Sequence, residues 1–112
     1  MAGINAMMAR PKHQYFRSKK HLKNVASLPC QVCYVEGMTQ ASHSNQAIHG
    51  KGRGIKSSDE FTAAICIEHH YEIDQGLKLT KQQRLDMWNE AYQKTVNRLK
   101  EQCLWPKELL TN

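Results

Sequence analysis

Two short stretches decide how this chain folds: Cys30-Gln31-Val32-Cys33 and, after 32 intervening residues, Cys66-Ile67-Glu68-His69-His70. Each stretch puts two residues between a pair of soft ligands, a spacing that lets one tight turn bring both onto a single ion. Three thiolates and an imidazole suit zinc in a closed tetrahedron, with Zn–S about 2.3 Å and Zn–N about 2.0–2.1 Å. The long insert brings the second pair in from another element. Cys30, Cys33, Cys66 and His69 are therefore expected to hold a structural zinc ion. Two other fates for these cysteines compete. Disulfides need an oxidising compartment, and no export signal is expected here. A redox pair at Cys30 and Cys33 calls for a βαβ pattern, and none surrounds it.

A structural ion supplies folding free energy that a small core lacks. The chain has 112 residues, enough for one domain; 40 % of them are hydrophobic, and the mean hydropathy of −0.67 leaves room only for a small core. The longest apolar run, Ala63-Ala64-Ile65-Cys66-Ile67, is far short of the roughly 20 residues a membrane helix needs. No secretory leader is expected, because no apolar stretch of about 7–15 residues follows the N-terminus. Trp88, Trp105 and six other aromatic residues argue against disorder throughout.

Outward from the two ligand pairs, Phe61–Cys66 reads as a short buried strand. Residues 67–75 have helical character, with Gly76 where a glycine closes a helix. Thr80-Lys81-Gln82-Gln83 is a capping-box pattern, and Leu85, Trp88, Tyr92, Val96, Leu99 and Cys103 then fall on one helical stripe. This predicts a helix over about 81–102, with Cys103 a buried thiol on its stripe and another turn at 107–110. Residues 30–44 read as a turn and strand. Residues 15–26 read as a short basic helix or an extended arm, ended by Pro29. Residues 1–14 show no periodicity and are expected to be mobile.

The net charge of +6 is unevenly placed. Arg10, Lys12, Arg17, Lys19, Lys20 and Lys23 precede the first acid, Glu36, and the remainder of the chain is neutral. Such a block attracts polyanions and releases their counterions; the alternative is a solvated basic tail. A second basic stretch, Gly50-Lys51-Gly52-Arg53-Gly54-Ile55-Lys56, alternates glycine with cations. Exposed amides and cations of this kind can cradle phosphates, although a plain surface loop has the same composition. Nucleic acid is the partner these two stretches favour.

His70 follows His69 directly. On a helix, neighbours point about 100° apart, so if His69 faces zinc, His70 is free for other work. Asp74 lies four residues on, on the same helical face. It can orient His70, join it on a metal, or form an ordinary surface pair. Upstream, His43 sits in Ala41-Ser42-His43-Ser44-Asn45, between the two ligand pairs. Together with His70, Asp59 and the basic glycine-rich loop it suggests a phosphodiester site.

Taken together, Cys30-Gln-Val-Cys33, Ala41-Ser-His43, Gly50-Lys-Gly-Arg-Gly54 and Cys66-Ile-Glu-His69-His70 resemble the HNH, or ββα-metal, endonucleases that carry an embedded treble-clef zinc site. Gly54-Ile-Lys56-Ser-Ser-Asp59 and His69-His70-Tyr-Glu72-Ile73-Asp74 are similar to small phage and prophage nucleases, including the nuclease domain of the phage recombination-enhancement protein. The resemblance covers about residues 28–76. It implies an α+β fold: a ββα-metal, treble-clef core over 28–78 stapled by zinc, a basic N-terminal arm over 1–27, and a C-terminal helix over 79–112 packed on the core.

The resemblance further implies metal-dependent cleavage of DNA, in recombination or DNA processing, in the cytoplasm of a bacterial host and without a membrane partner. His43 would be the general base. His70 and Asp59 would hold a catalytic Mg²⁺ or Mn²⁺, with Asn45, His49 and Asp74 as further candidates around it. Lys51, Arg53 and Lys56 would hold flanking phosphates. A recombinase filament is a candidate protein partner, and the oligomeric state stays open. The rival function is a non-catalytic zinc module that binds DNA.

Overall fold

Ser18 starts the first element. Its hydroxyl accepts the His21 N–H at 3.0 Å and so caps helix α1, Lys19–Ala26. His21 and Val25, one turn apart, are buried, and Leu28 continues the same apolar face. The computed structural model describes residues 15–110, so the first 14 residues of the expected arm lie outside the described residues. Of the two alternatives for residues 15–26, the structure shows the short basic helix and not the extended arm. This segment is part of the folded body, because α1 has an apolar face to bury as well as a basic one.

After Pro29 the chain turns through Cys30–Cys33 and enters strand β1, Thr39–His43. β1 pairs antiparallel with β2, Thr62–Cys66, in a register running from Thr39↔Cys66 to His43↔Thr62. Every residue of β2 is buried, as its continuous apolar run requires. Its outer edge is closed at Ala64. That residue's N–H donates to Thr95 Oγ1 at 2.9 Å, and its carbonyl accepts the Gln31 N–H at 2.8 Å. An open edge of this kind would otherwise invite pairing with another chain.

Helix α2, Ile67–Gln75, begins directly after β2, so the strand end and the first helical turn present Cys66 and His69 together. Gly76 follows. It closes the helix as expected, its N–H bonding the Glu72 carbonyl, in an extended conformation with φ −66°. Glycine is needed there for closeness: a Cβ would lie 2.5 Å from the Glu72 carbonyl oxygen. Helix α3, Lys81–Glu101, starts at the expected capping box, with both reciprocal hydrogen bonds formed. Single 3₁₀ turns cover Ala47–His49 and Lys107–Leu109. At Cys103 the expectation is corrected. It lies past the helix end with φ +59° and is exposed, not buried on the stripe.

The core forms on both sides of the hairpin. Ala63 and Ile65 of β2 meet Ile73 of α2 and Trp88 and Ala91 of α3, with Cys30 and Cys66 in the same cluster. Ala64, on the other face, meets Val25, Leu28 and Leu99. The result is a small α+β fold with a two-stranded sheet and three helices. Among the described residues no helix is long and apolar enough to cross a membrane.

Candidate metal centre and histidine sites

The Cys30–Cys33 turn and the β2–α2 junction meet at one point. One ligand atom each from Cys30, Cys33, Cys66 and His69 lies within 4.8 Å of all the others. Cys33 Sγ and Cys66 Sγ are 3.9 Å apart, and Cys66 Sγ lies 3.3 Å from His69 Nδ1. Ligands on one tetrahedral ion at about 2.3 Å are separated by about 3.3–3.8 Å, so this Cys₃His group can hold a metal such as zinc. Burial pushes the Cys66 thiol up. Cys30 is just as buried, but backbone N–H groups outweigh that burial and hold its thiol below the ordinary range. One of these is the Val32 amide, 3.4 Å from Cys30 Sγ. All four cysteines are free of disulfides.

His43 ends β1 on the face that carries Ala41. Its Nε2 lies 2.8 Å from Asp59 Oδ1, and the Asp59 side chain is only 4 % exposed. The same oxygen accepts from Arg17 at 3.0 Å, while Oδ2 accepts the Ser18 N–H at 2.8 Å. Burial by itself raises the Asp59 pKa, but the bonds from His43, Ser18 and Arg17 outweigh it and hold the carboxyl below its usual range. An ionised carboxylate only accepts, so His43 donates its Nε2–H to Asp59.

His70 belongs to a different network. Its Nδ1 lies 2.7 Å from Gln40 Oε1 and its Nε2 lies 3.0 Å from Asp74 Oδ2, while Asp74 Oδ1 accepts from Asn45 at 3.2 Å. With Gln40 accepting, the neutral ring turns its Nε2 lone pair toward a carboxylate. Acceptor then meets acceptor, and a proton or a cation between them relieves this. Rotating the Gln40 amide by half a turn gives the metal-free alternative, with Nε2–H donating to Asp74.

The structure thus brings Asp59 to His43 and Asp74 to His70, whereas the sequence expected Asp59 and His70 on one ion. His43 and His70 share no partner among the described residues. Gln40, which holds His70, lies on the opposite face of β1 from His43 by strand alternation. His49 joins neither network. It stacks on Phe61 with ring centroids 4.2 Å apart, bonds Ser44 Oγ at 2.7 Å, and is held below the ordinary imidazole range by burial.

Lys51, Arg53 and Lys56 lie on the expected loop. Its tip closes at the Gly52↔Ile55 bridge, with Arg53 and Lys56 exposed and Lys51 half-buried. The Tyr15 hydroxyl bonds the Gly50 carbonyl, and the Arg17 guanidinium bonds the carbonyls of Lys56 and Ser57. These straps tie the basic loop to the Asp59 pocket. Gln40 escaped the sequence reading, and Arg17 was read only as part of the basic block, not as a partner of Asp59. Their partners lie 30 and 42 residues away, and no local pattern marks such pairs.

The fold and the Cys₃His group define a small α+β domain with a four-residue group that could hold a metal. The chain belongs to the family described as protein of unknown function (DUF968), whose family model matches residues 3–102. No curated protein and no solved structure matches it.

Proposed function

We propose that this chain is an HNH-type nuclease that hydrolyses phosphodiester bonds in DNA. The observation that carries this reading is the His43–Asp59 pair. A half-buried imidazole is held by a buried carboxylate on one nitrogen, which leaves Nδ1 as the atom to take a proton from water. Asp59 also stabilises the imidazolium that forms. His43 later returns that proton to solvent or to the leaving 3′ oxygen.

His70 and Asp74 would hold a divalent ion, Mg²⁺ or Mn²⁺, in place of the His70 and Asp59 pair expected from sequence. When bound, such an ion supplies charge stabilisation to the phosphate and the leaving oxygen. Lys51, Arg53 and Lys56 hold flanking phosphates, contacts that carry little base information. A zinc ion at Cys30, Cys33, Cys66 and His69 fixes the β2–α2 junction and with it the direction of His70. A cytoplasmic role in phage or prophage recombination, with a recombinase filament as partner, rests on the sequence resemblance alone.

One observation favours the second reading, a zinc module that binds DNA without cutting it: His43 leaves one face of β1, while His70 of α2 is held by Gln40 on the other. A plasmid-nicking assay with Mg²⁺ separates the two. The nuclease reading expects the parent to nick, with His43→Ala and His70→Ala at least tenfold slower. Retained zinc and DNA binding without nicking by the parent would establish the module instead.

A further inference from the structure

Between α2 and α3 runs a groove of about 750 Å³. Asn45 and Asp74, the latter paired with His70, are among its lining residues. Exposed Leu85 and the edge of Trp88, a core residue only 4 % exposed, give it an apolar floor, and Lys81 and Arg84 from the first turn of α3 also line it. That volume is within the range of sites for small organic ligands, about 300–1,000 Å³. The charge of the lining is unbalanced. Asp74 is the one carboxylate lining the groove and is already engaged by His70 and Asn45. No acid stands in the first turn of α3, and Arg84 Nε finds no acceptor among the described residues. Two cations at the positive end of a helix repel its dipole, and an anion between them would remove that cost.

An apolar floor beside two cations matches a nucleotide: an aromatic base on the one and a phosphate on the other. A base can enter only if it is not paired in a duplex. We infer that this groove takes an unpaired nucleotide of a DNA strand, with Lys81 and Arg84 on its phosphate and the base against Leu85 and Trp88. The substrate class is therefore single-stranded or locally unpaired DNA. The choice of DNA rests on the proposed nuclease reading, while the groove's preference for an unpaired nucleotide rests on its own lining.

The test is binding without cleavage. A fluorescein-labelled phosphorothioate hexanucleotide is titrated into the full chain with no added divalent ion, and compared with a blunt duplex of the same sequence. Trp88 fluorescence is read in a Trp105→Phe background; in the parent chain the Trp88 indole N–H signal in NMR reports the same contact. The single strand should bind and perturb Trp88, and the duplex should not perturb it. Lys81→Ala combined with Arg84→Ala should weaken single-strand binding about tenfold. Loss of the contacts to that one phosphate should also cut the salt slope by about 0.7, the value per phosphate on single strands. Circular dichroism checks that the double variant is folded. Equal perturbation of Trp88 by the duplex overturns the inference, as does parental binding by the double variant or displacement of the strand by an acidic peptide of equal charge. A chain that binds in this way but never nicks plasmid keeps the groove and loses the nuclease reading. A chain that nicks while the double variant binds normally loses only the groove.

Discussion

Replacing Asp59 with asparagine changes almost no volume but removes the charge at the centre of three hydrogen bonds. Oδ1 accepts from Arg17 at 3.0 Å and from His43 at 2.8 Å, and Oδ2 accepts the Ser18 N–H at 2.8 Å. If the asparagine oxygen stays toward Arg17 and His43, its NH₂ meets the Ser18 N–H, donor against donor. If it turns the other way, Arg17 loses its acceptor and His43 must give up its Nε2 proton. A buried group left unpaired costs about 1–3 kcal/mol. The Arg17 side chain is 41 % exposed, so its share is screened and small. The total is about 2–3 kcal/mol, which lowers the thermal midpoint of a domain this size by about 10–20 °C. Thermal denaturation followed by circular dichroism reads this directly. Nicking activity, measured well below the lowered midpoint, should also fall at least tenfold, because the ring then has no fixed tautomer. A midpoint within 3 °C of the parent, about 0.5 kcal/mol on the same scale, would show that Asp59 is no hub, and the orientation of His43 would lose its basis.

Cys66→Ser should abolish the bound metal, lowering zinc content from one equivalent to none and the midpoint by about 10 °C or more; full zinc by metal analysis would contradict the Cys₃His site. Burial holds His21 below the ordinary imidazole range, with Asp59 and Glu60 offsetting it in part. The unfolded chain titrates near 6.5, so it takes up the proton first. Stability is then whole above about pH 6.5 and falls as the pH drops below that, levelling once the lower folded pKa is passed. The midpoint should accordingly be lower at pH 5.5 than at 7.5, and His21→Phe should shrink that difference; an unchanged difference would mean the ring is not buried neutral. Gly76→Ala should cost about 1–3 kcal/mol in chemical denaturation, since a Cβ would lie 2.5 Å from the Glu72 carbonyl oxygen; a neutral effect would place that loop elsewhere.

Local spacing carried the metal donors and the helix starts, because the physics behind both is local. Two residues between ligands set a knuckle, and Thr80 with Gln83 sets a cap, whatever the remainder of the chain does. The stripe on α3 was legible through Trp88, Val96 and Leu99. It failed at Cys103, where the helix had already ended and a left-handed residue turns the chain away.

The i,i+4 spacing offered Asp74 to His70, as the structure has it, but no local pattern named the acid that serves His43. Asp59 and Asp74 were both near at hand in sequence, and helical periodicity favoured neither for His43. Strand register decided it. In a two-stranded sheet, alternate residues leave opposite faces, so His43 meets the Asp59 pocket beside α1 while Gln40 meets His70 on α2. The amino-acid sequence alone determined the donor set and the helices. Only the packing of α1 and α2 on either side of one hairpin decided that the two imidazoles belong to separate carboxylates.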